Sequence, residues 1–314
     1  MVQWDNCKCF LCSTLGLILT PQRESHSRGS ILTYKILTLL TWVLSVVVSV
    51  YYTVHEPHDG FTIRRRIWDQ NYLYPSAFTM NDVIADVYWS VSLTLCARTH
   101  AWPVGLFILQ FGYITHLFSK NNDTVHAAAS VGSHFILNNL FHFAFVMLFV
   151  RSHFHWAELI LIINFVNLSA LYFRHNTYPR FIHAPTVSGP LAWTFVAIYW
   201  NGALMVHHQQ SLVARVFGNI FIWSILVYGM FFIVVFKDYT MGFALSILAA
   251  AIGVAQFTRH IIALQWIFAF IIMAILFIMT ILVAVPAWTG RDYRWRRAAA
   301  AAAADQERAP LLNE

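Results

Sequence analysis

Long apolar runs alternate along the chain with short polar segments. A helix that crosses a bilayer needs about 20 predominantly apolar residues, and several of these runs reach that length. The pattern predicts eight helices, at residues 31–54, 83–118, two within 127–173, 191–206, 216–236, 241–257 and 261–285. We therefore expect an all-α, polytopic transmembrane bundle at residues 31–287, between an N-terminal arm (1–30) and a tail (288–314).

The second run is interrupted by the segment SVSLTLCARTHAWPVG, which contains Arg98, His100 and Pro103. One interpretation is a broken helix with a re-entrant element, of the kind that forms binding sites in transporters. The other is an insertion or retained intron at residues 91–105, because joining Trp89 directly to Leu106 would give one helix of ordinary length. We favour the insertion.

The third predicted helix carries a stripe of polar side chains through an apolar run. Its members recur about every four residues and therefore share one slanting face; they are Ser130, His134, Asn138, Asn139 and His142. One interpretation is a proton or substrate path, since histidine changes charge near physiological pH. The other is a ladder of interhelical hydrogen bonds, each contributing about 0.6 kcal/mol in a membrane.

A second polar cluster is predicted at the non-cytosolic end of the bundle, at the turn between the third and fourth helices. Its members are Asp82, Asp86, Arg151, His153, His155 and Glu158. His155 and Glu158 could share a helical face and ligate a metal, but the simpler interpretation is a set of interfacial residues that anchor a tight turn. We expect no bound metal and no other cofactor. The common phosphate-loop, nucleophile-elbow, zinc-protease and dinucleotide motifs are absent, so no catalytic residue is assigned.

Composition supports the membrane assignment. The chain is 59% hydrophobic and only 11% charged, whereas soluble domains are about 25% charged. The net charge of +6 comes from basic residues scattered through loops and tail, where they serve as orientation signals and do not indicate nucleic acid binding. Because Lys and Arg concentrate on the side that holds both termini, we expect both termini in the cytosol. The aromatic residues Trp68, Tyr72 and Tyr74 place part of the loop at 55–81 at the membrane surface.

Both terminal segments contain candidate interaction motifs. Cys7, Cys9 and Cys12 could be S-acylated beside the membrane, or could be free cytosolic thiols. The basic, aromatic strip at 291–297 is expected to contact anionic lipid. Glu307, Leu311 and Leu312 form an acidic dileucine pattern, which adaptor complexes read in the cytosol, and this pattern suggests a vacuolar or endosomal destination.

Four segments together resemble a fungal family known as domain of unknown function 1774, whose members are multi-pass membrane proteins. They read HSRGSILTYKILTLLTW, SHFILNNLFHFAFVMLFVRSHFHWAELILIINFVNLSALYFRH, SGPLAWTFVAIYWNGA and FKDYTMGFALSILAAAIGVAQF. The resemblance covers roughly residues 26–290 and implies a fungal integral membrane protein. The family implies no activity. Residues 91–105, the cysteine cluster and the alanine-rich tail depart from its pattern.

Three functional hypotheses follow. The first is a small-solute or proton-coupled transporter that uses the stripe and the acidic residues. The second is a non-catalytic scaffold or assembly protein, whose polar groups only hold helices together. The third, which has the least support, is a membrane enzyme with a metal or haem held by histidines. The sequence leaves the substrate and the oligomeric state open.

Overall fold

The computed structural model describes residues 27–58, 64–89, 105–174 and 180–289, and its regular structure there is entirely helical. In chain order the helices are α1 (Arg28–Val54), α2 (Ile67–Leu73), α3 (Asp82–Trp89), α4 (Leu106–Leu117), α5 (Asn122–Phe149), α6 (Phe154–Arg174), α7 (Arg180–His183), α8 (Gly189–Leu204), α9 (Leu212–Phe221), α10 (Trp223–Val235), α11 (Tyr239–Arg259) and α12 (Gln265–Thr289). The predicted all-α bundle is confirmed. Most of the predicted N-terminal arm (1–30), insertion (91–105) and tail (288–314) lies outside the described residues.

Within the described part of the chain, six helices are long and apolar enough to cross a membrane. They are α1, α5, α6, the combined segment Leu212–Val235, α11 and α12. Large apolar side chains point outward from them, as in Leu40, Val227 and Ile278, each more than half exposed. An outer surface of this kind is costly in water and suits lipid. The helices therefore indicate an integral membrane protein.

The other two predicted spans have a different form. The second is divided into α3, which ends at Trp89, and α4, which begins at Leu106. The two halves meet, because the rings of Trp89 and Phe107 lie 4.8 Å apart. The fifth begins with α7 and a π-helical turn, Ala184–Ser188, which continues directly into α8.

Helix α11 is the most buried of the six long helices, and its small residues explain why. A Cβ atom added at Gly242 would overlap Thr280 of α12 and Ile233 of α10. One added at Gly253 would lie 3.1 Å from the ring of Phe270. Small residues allow helices to approach closely in membranes, where packing rather than hydrophobic burial drives their association.

Part of the described chain between α1 and α3 is buried in the bundle. The position of another part of this segment at the membrane surface stays a prediction. Gln70, Asn71 and Met80 are fully buried, and Ser76 and Thr79 nearly so. Non-helical backbone is tolerated at membrane depth only where protein surrounds it and satisfies its polar groups. We call residues 74–81 the inserted loop.

Candidate functional site

The polar stripe on α5 contacts α6 through two pairs of side chains. Asn164 Nδ2 donates to Asn138 Oδ1 over 3.0 Å. One turn away, His134 Nδ1 lies 2.7 Å from Asn167 Oδ1, and Asn167 Nδ2 donates to the His134 carbonyl over 3.1 Å. These bonds match the ladder interpretation for this part of the stripe.

His142, at the far end of the stripe, has different neighbours. Its Nε2 lies 2.9 Å from Ser49 Oγ on α1. Its ring lies 4.7 Å from the ring of Trp89. Of the remaining stripe residues, Ser130 Oγ donates to the His126 carbonyl over 2.9 Å, and Asn139 is buried. The stripe therefore combines a ladder to α6 with a separate contact to α1 and α3.

Two small cavities adjoin at His142. The larger, of about 30 Å³, lies among α1, α2, α3, α5 and α8. Its wall includes Asp86 together with Ser49, Thr53, Ile67, Trp68, Trp89, His142, Phe145, Val146, Phe149, Trp193 and Trp200. The smaller, of about 10 Å³, reaches Asn138, Asn164 and Thr194. His142, Trp89, Phe145 and Trp193 line both, so polar groups continue from Asp86 past His142 to the ladder.

Four of the six residues of the predicted polar cluster have separate hydrogen-bond partners, and the other two are exposed. Among the acidic residues, Asp82 accepts from the Tyr72 hydroxyl (2.8 Å), Asp86 from Trp68 Nε1 (2.9 Å) and Glu158 from Asn201 Nδ2 (2.9 Å). Arg151 donates to the Tyr52 hydroxyl over 3.3 Å. The exposed residues are His153 and His155. Among the described residues, no three His, Cys, Asp or Glu side chains are close enough together to hold a metal ion. Of the six, only Asp86 lines the larger cavity.

Tyr72 fixes the beginning of α3. Burial raises the pKa of Tyr72 to about 12, and its hydroxyl donates to Asp82. The Arg259 guanidinium lies 3.5 Å from the centre of the Tyr72 ring, which is a close cation–π contact. These contacts join α2, α3 and α11.

The inserted loop is held by side-chain amides that the sequence analysis missed, and all of them except the exposed Gln210 are buried. Asn71 Oδ1 accepts from Trp200 Nε1 (2.9 Å) and from the Met80 N–H (3.2 Å), and Asn71 Nδ2 donates to the Met80 carbonyl (2.8 Å). Three glutamines donate to successive loop carbonyls: Gln210 to Pro75 (2.9 Å), Gln256 to Ser76 (2.7 Å) and Gln265 to Ala77 (3.1 Å). The sequence feature that could have indicated these contacts is a glutamine inside or beside an apolar helix.

At the other end of the bundle, Asp238 caps α11 and accepts from two distant hydroxyls. Ser188 Oγ donates to it over 2.7 Å and the Tyr172 hydroxyl over 3.2 Å. Ser188 Oγ also lies 3.1 Å from His183 Nδ1. The serine thus stands between histidine and carboxylate, whereas a hydrolase triad needs the histidine between the other two. This cluster holds helix ends together.

Several predicted residues lie outside the described part of the chain: Cys7, Cys9, Cys12, Glu307, Leu311 and Leu312.

The fold and the buried site together define a multi-pass α-helical membrane protein. Residues 215–312 match a family model described as "Fungal protein of unknown function (DUF1774)". The resemblance predicted from the sequence is thereby confirmed for this region. The match includes the alanine-rich tail, which we expected to lie outside the family pattern, and it begins after the central hairpin.

A protein of Schizosaccharomyces pombe, described as uncharacterized, is 34% identical over 128 residues. The aligned region covers 41% of this chain and 43% of that relative, so the chain spans less than half of the relative's length. No solved structure matches the chain.

Proposed function

We propose that the protein is a small-solute or proton-coupled transporter whose path passes His142. The observation that carries this proposal is a pair of adjoining cavities that have His142 in both walls, with Asp86 lining the larger and Asn138 and Asn164 lining the smaller. A path of this kind needs titratable groups and room for water inside the bundle.

The cavity walls support hydration. Their volumes, about 30 and 10 Å³, correspond to space for a few water molecules. The indole N–H groups of Trp89 and Trp193 have no hydrogen-bond partner among the described residues, and water can provide one. With Ser49 and Thr53 on the same wall, water would connect Asp86 to His142.

The test is proton flux into proteoliposomes loaded with a pH-sensitive dye. His142→Gln keeps a polar side chain of similar size but removes the titratable ring. Proton flux should fall about 100-fold, the lower end of what a positioned acid–base group contributes. His155→Gln is the matched control, because the same change on the exposed end of α6 should leave flux unchanged. Equal flux in both variants would remove His142 from the path.

The alternative function is a non-catalytic scaffold, and the ladder between α5 and α6 favours it. His134–Asn167 and Asn138–Asn164 are paired with each other and need no transported solute to explain them. In a scaffold, His142→Gln would lower thermal stability, and the wild-type protein would conduct neither protons nor solutes.

We further propose that the protein resides in an endomembrane with both termini in the cytosol. Acylated Cys7, Cys9 and Cys12 would contact membrane lipids. An adaptor complex would sort the protein to the vacuole or endosome. The support is the tail pattern of Glu307, Leu311 and Leu312. Replacing Leu311 and Leu312 with Ala should move a fluorescently tagged protein to another membrane, because the adaptor would lose both leucines. Replacing Ala301 and Ala302 with Ser is the control; identical localisation of all three proteins would contradict sorting by this motif.

A further inference from the structure

We infer that the larger cavity binds a small cation of the ammonium class, held by the Asp86 carboxylate and the faces of surrounding tryptophan rings. The claim that this cation is the transported solute rests on the proposed function. The claim that the cavity binds the cation rests only on the cavity itself.

The charge of the wall favours a cation. Asp86 Oδ1 accepts one hydrogen bond, from Trp68 Nε1, and no Lys or Arg lies among the described residues of the wall. The only other titratable group there, His142, is engaged by Ser49. A carboxylate without a cationic neighbour in a site of low dielectric constant attracts a positive charge strongly. The same wall would repel an anion.

The aromatic rings of the wall provide a second attraction. Trp68, Trp89, Trp193 and Trp200 form a continuous set, with ring centroids 6.0 Å apart for Trp68–Trp200, 6.0 Å for Trp193–Trp200 and 5.3 Å for Trp89–Trp193. Tryptophan is the best aromatic partner for a cation, and aromatic cages recognise ammonium groups in this way. Asn71 fixes the Trp200 ring through its N–H, so this part of the cage is preformed.

The volume of the cavity limits the size of the cation that it can bind. A volume of about 30 Å³ holds one or two particles the size of water. Ammonium and methylammonium are of this size, whereas tetramethylammonium is not. The hydroxyls of Ser49 and Thr53 offer acceptors for the remaining N–H groups.

The binding experiment uses the full-length protein in detergent. Its thermal midpoint is measured against increasing ammonium or methylammonium chloride, with sodium chloride replaced to keep the ionic strength constant. Wild-type protein should show a saturable rise with both salts, and no rise with potassium or tetramethylammonium chloride. A ligand that binds only the folded state raises the midpoint in this way.

Asp86→Asn is the informative variant, because its amide oxygen can still accept from Trp68 Nε1. Its apparent affinity for methylammonium should be lower by about 30-fold or more, as for a lost partner in a buried charge pair. Asp82→Asn, one turn earlier on the same helix, should bind as wild type does, since Asp82 pairs with Tyr72 outside the cavity. An equal midpoint shift in both variants would overturn the site.

The wild-type salt series tests the inference even if Asp86→Asn does not fold. No midpoint shift with ammonium, or an equal shift with potassium, would overturn the ammonium class. Uptake of labelled methylammonium into proteoliposomes then separates the two proposals. Binding without uptake would retain the site and refute transport of this cation, whereas proton flux without cation binding would refute the site alone.

Discussion

Asn71→Ala should lower the free energy of unfolding by about 3–5 kcal/mol, because a buried donor or acceptor left unpaired costs about 1–3 kcal/mol. The substitution removes the partner of the Trp200 indole N–H and both partners of the Met80 backbone. Asn71 and Met80 are completely buried, so water has no direct access to the orphaned groups. Thermal unfolding in mild detergent measures the loss.

Asn122→Ala is the control for this substitution. Asn122 is exposed in the first turn of α5, where the same truncation should change stability by less than about 0.5 kcal/mol. The Asn71 variant should also bind methylammonium more weakly, since the freed Trp200 ring belongs to the cavity wall. Equal midpoints for the two variants would show that the inserted loop is anchored elsewhere.

The long apolar runs were sufficient to predict the helical bundle, because a membrane helix must be apolar over most of its length. The inserted loop was not predictable in the same way. Gln70 and Asn71 in α2, and Ser76 and Thr79 in the loop itself, are residue types that are common at exposed surfaces, yet all four are buried. The hydrogen bonds that offset the cost of burying this region come from residues far along the chain, as when Gln256 and Gln265 donate to the carbonyls of Ser76 and Ala77. Periodicity contains no information on such distant pairs.

The sequence was sufficient to predict where the site residues lie along each helix, but not which helices they contact. A four-residue spacing correctly groups His134, Asn138 and His142 on neighbouring turns of α5, but it does not identify the helix that each side chain meets. Two of them contact α6, and His142 contacts α1. Asp86 and Glu158 were grouped by their position along the helices. Their partners, Trp68 and Asn201, lie on different helices, α2 and α8.

Gly242→Leu should destabilise the bundle by about 3 kcal/mol, at the upper end of the usual cost of overpacking. Gly242 lies where α11 meets both α10 and α12. A Cβ atom there would fall 2.5 Å from Cδ1 of Ile233 and would also overlap the hydroxyl of Thr280. The side chains that a leucine would meet have little room to move aside, because Ile233 is fully buried and Thr280 nearly so.

Gly112→Leu provides the matched control, because Gly112 is exposed on α4 and nothing lies within 4 Å of its added Cβ. Leucine is a better helix former than glycine by roughly 0.8 kcal/mol, so this variant should be as stable as wild type or slightly more stable. Both proteins are unfolded thermally in the same detergent. If Gly242→Leu also kept the wild-type midpoint, α11 would have room beside α10 and α12. Close helix contact at Gly242 would then not hold the bundle together, and the buried amides around the inserted loop would have to supply that stability.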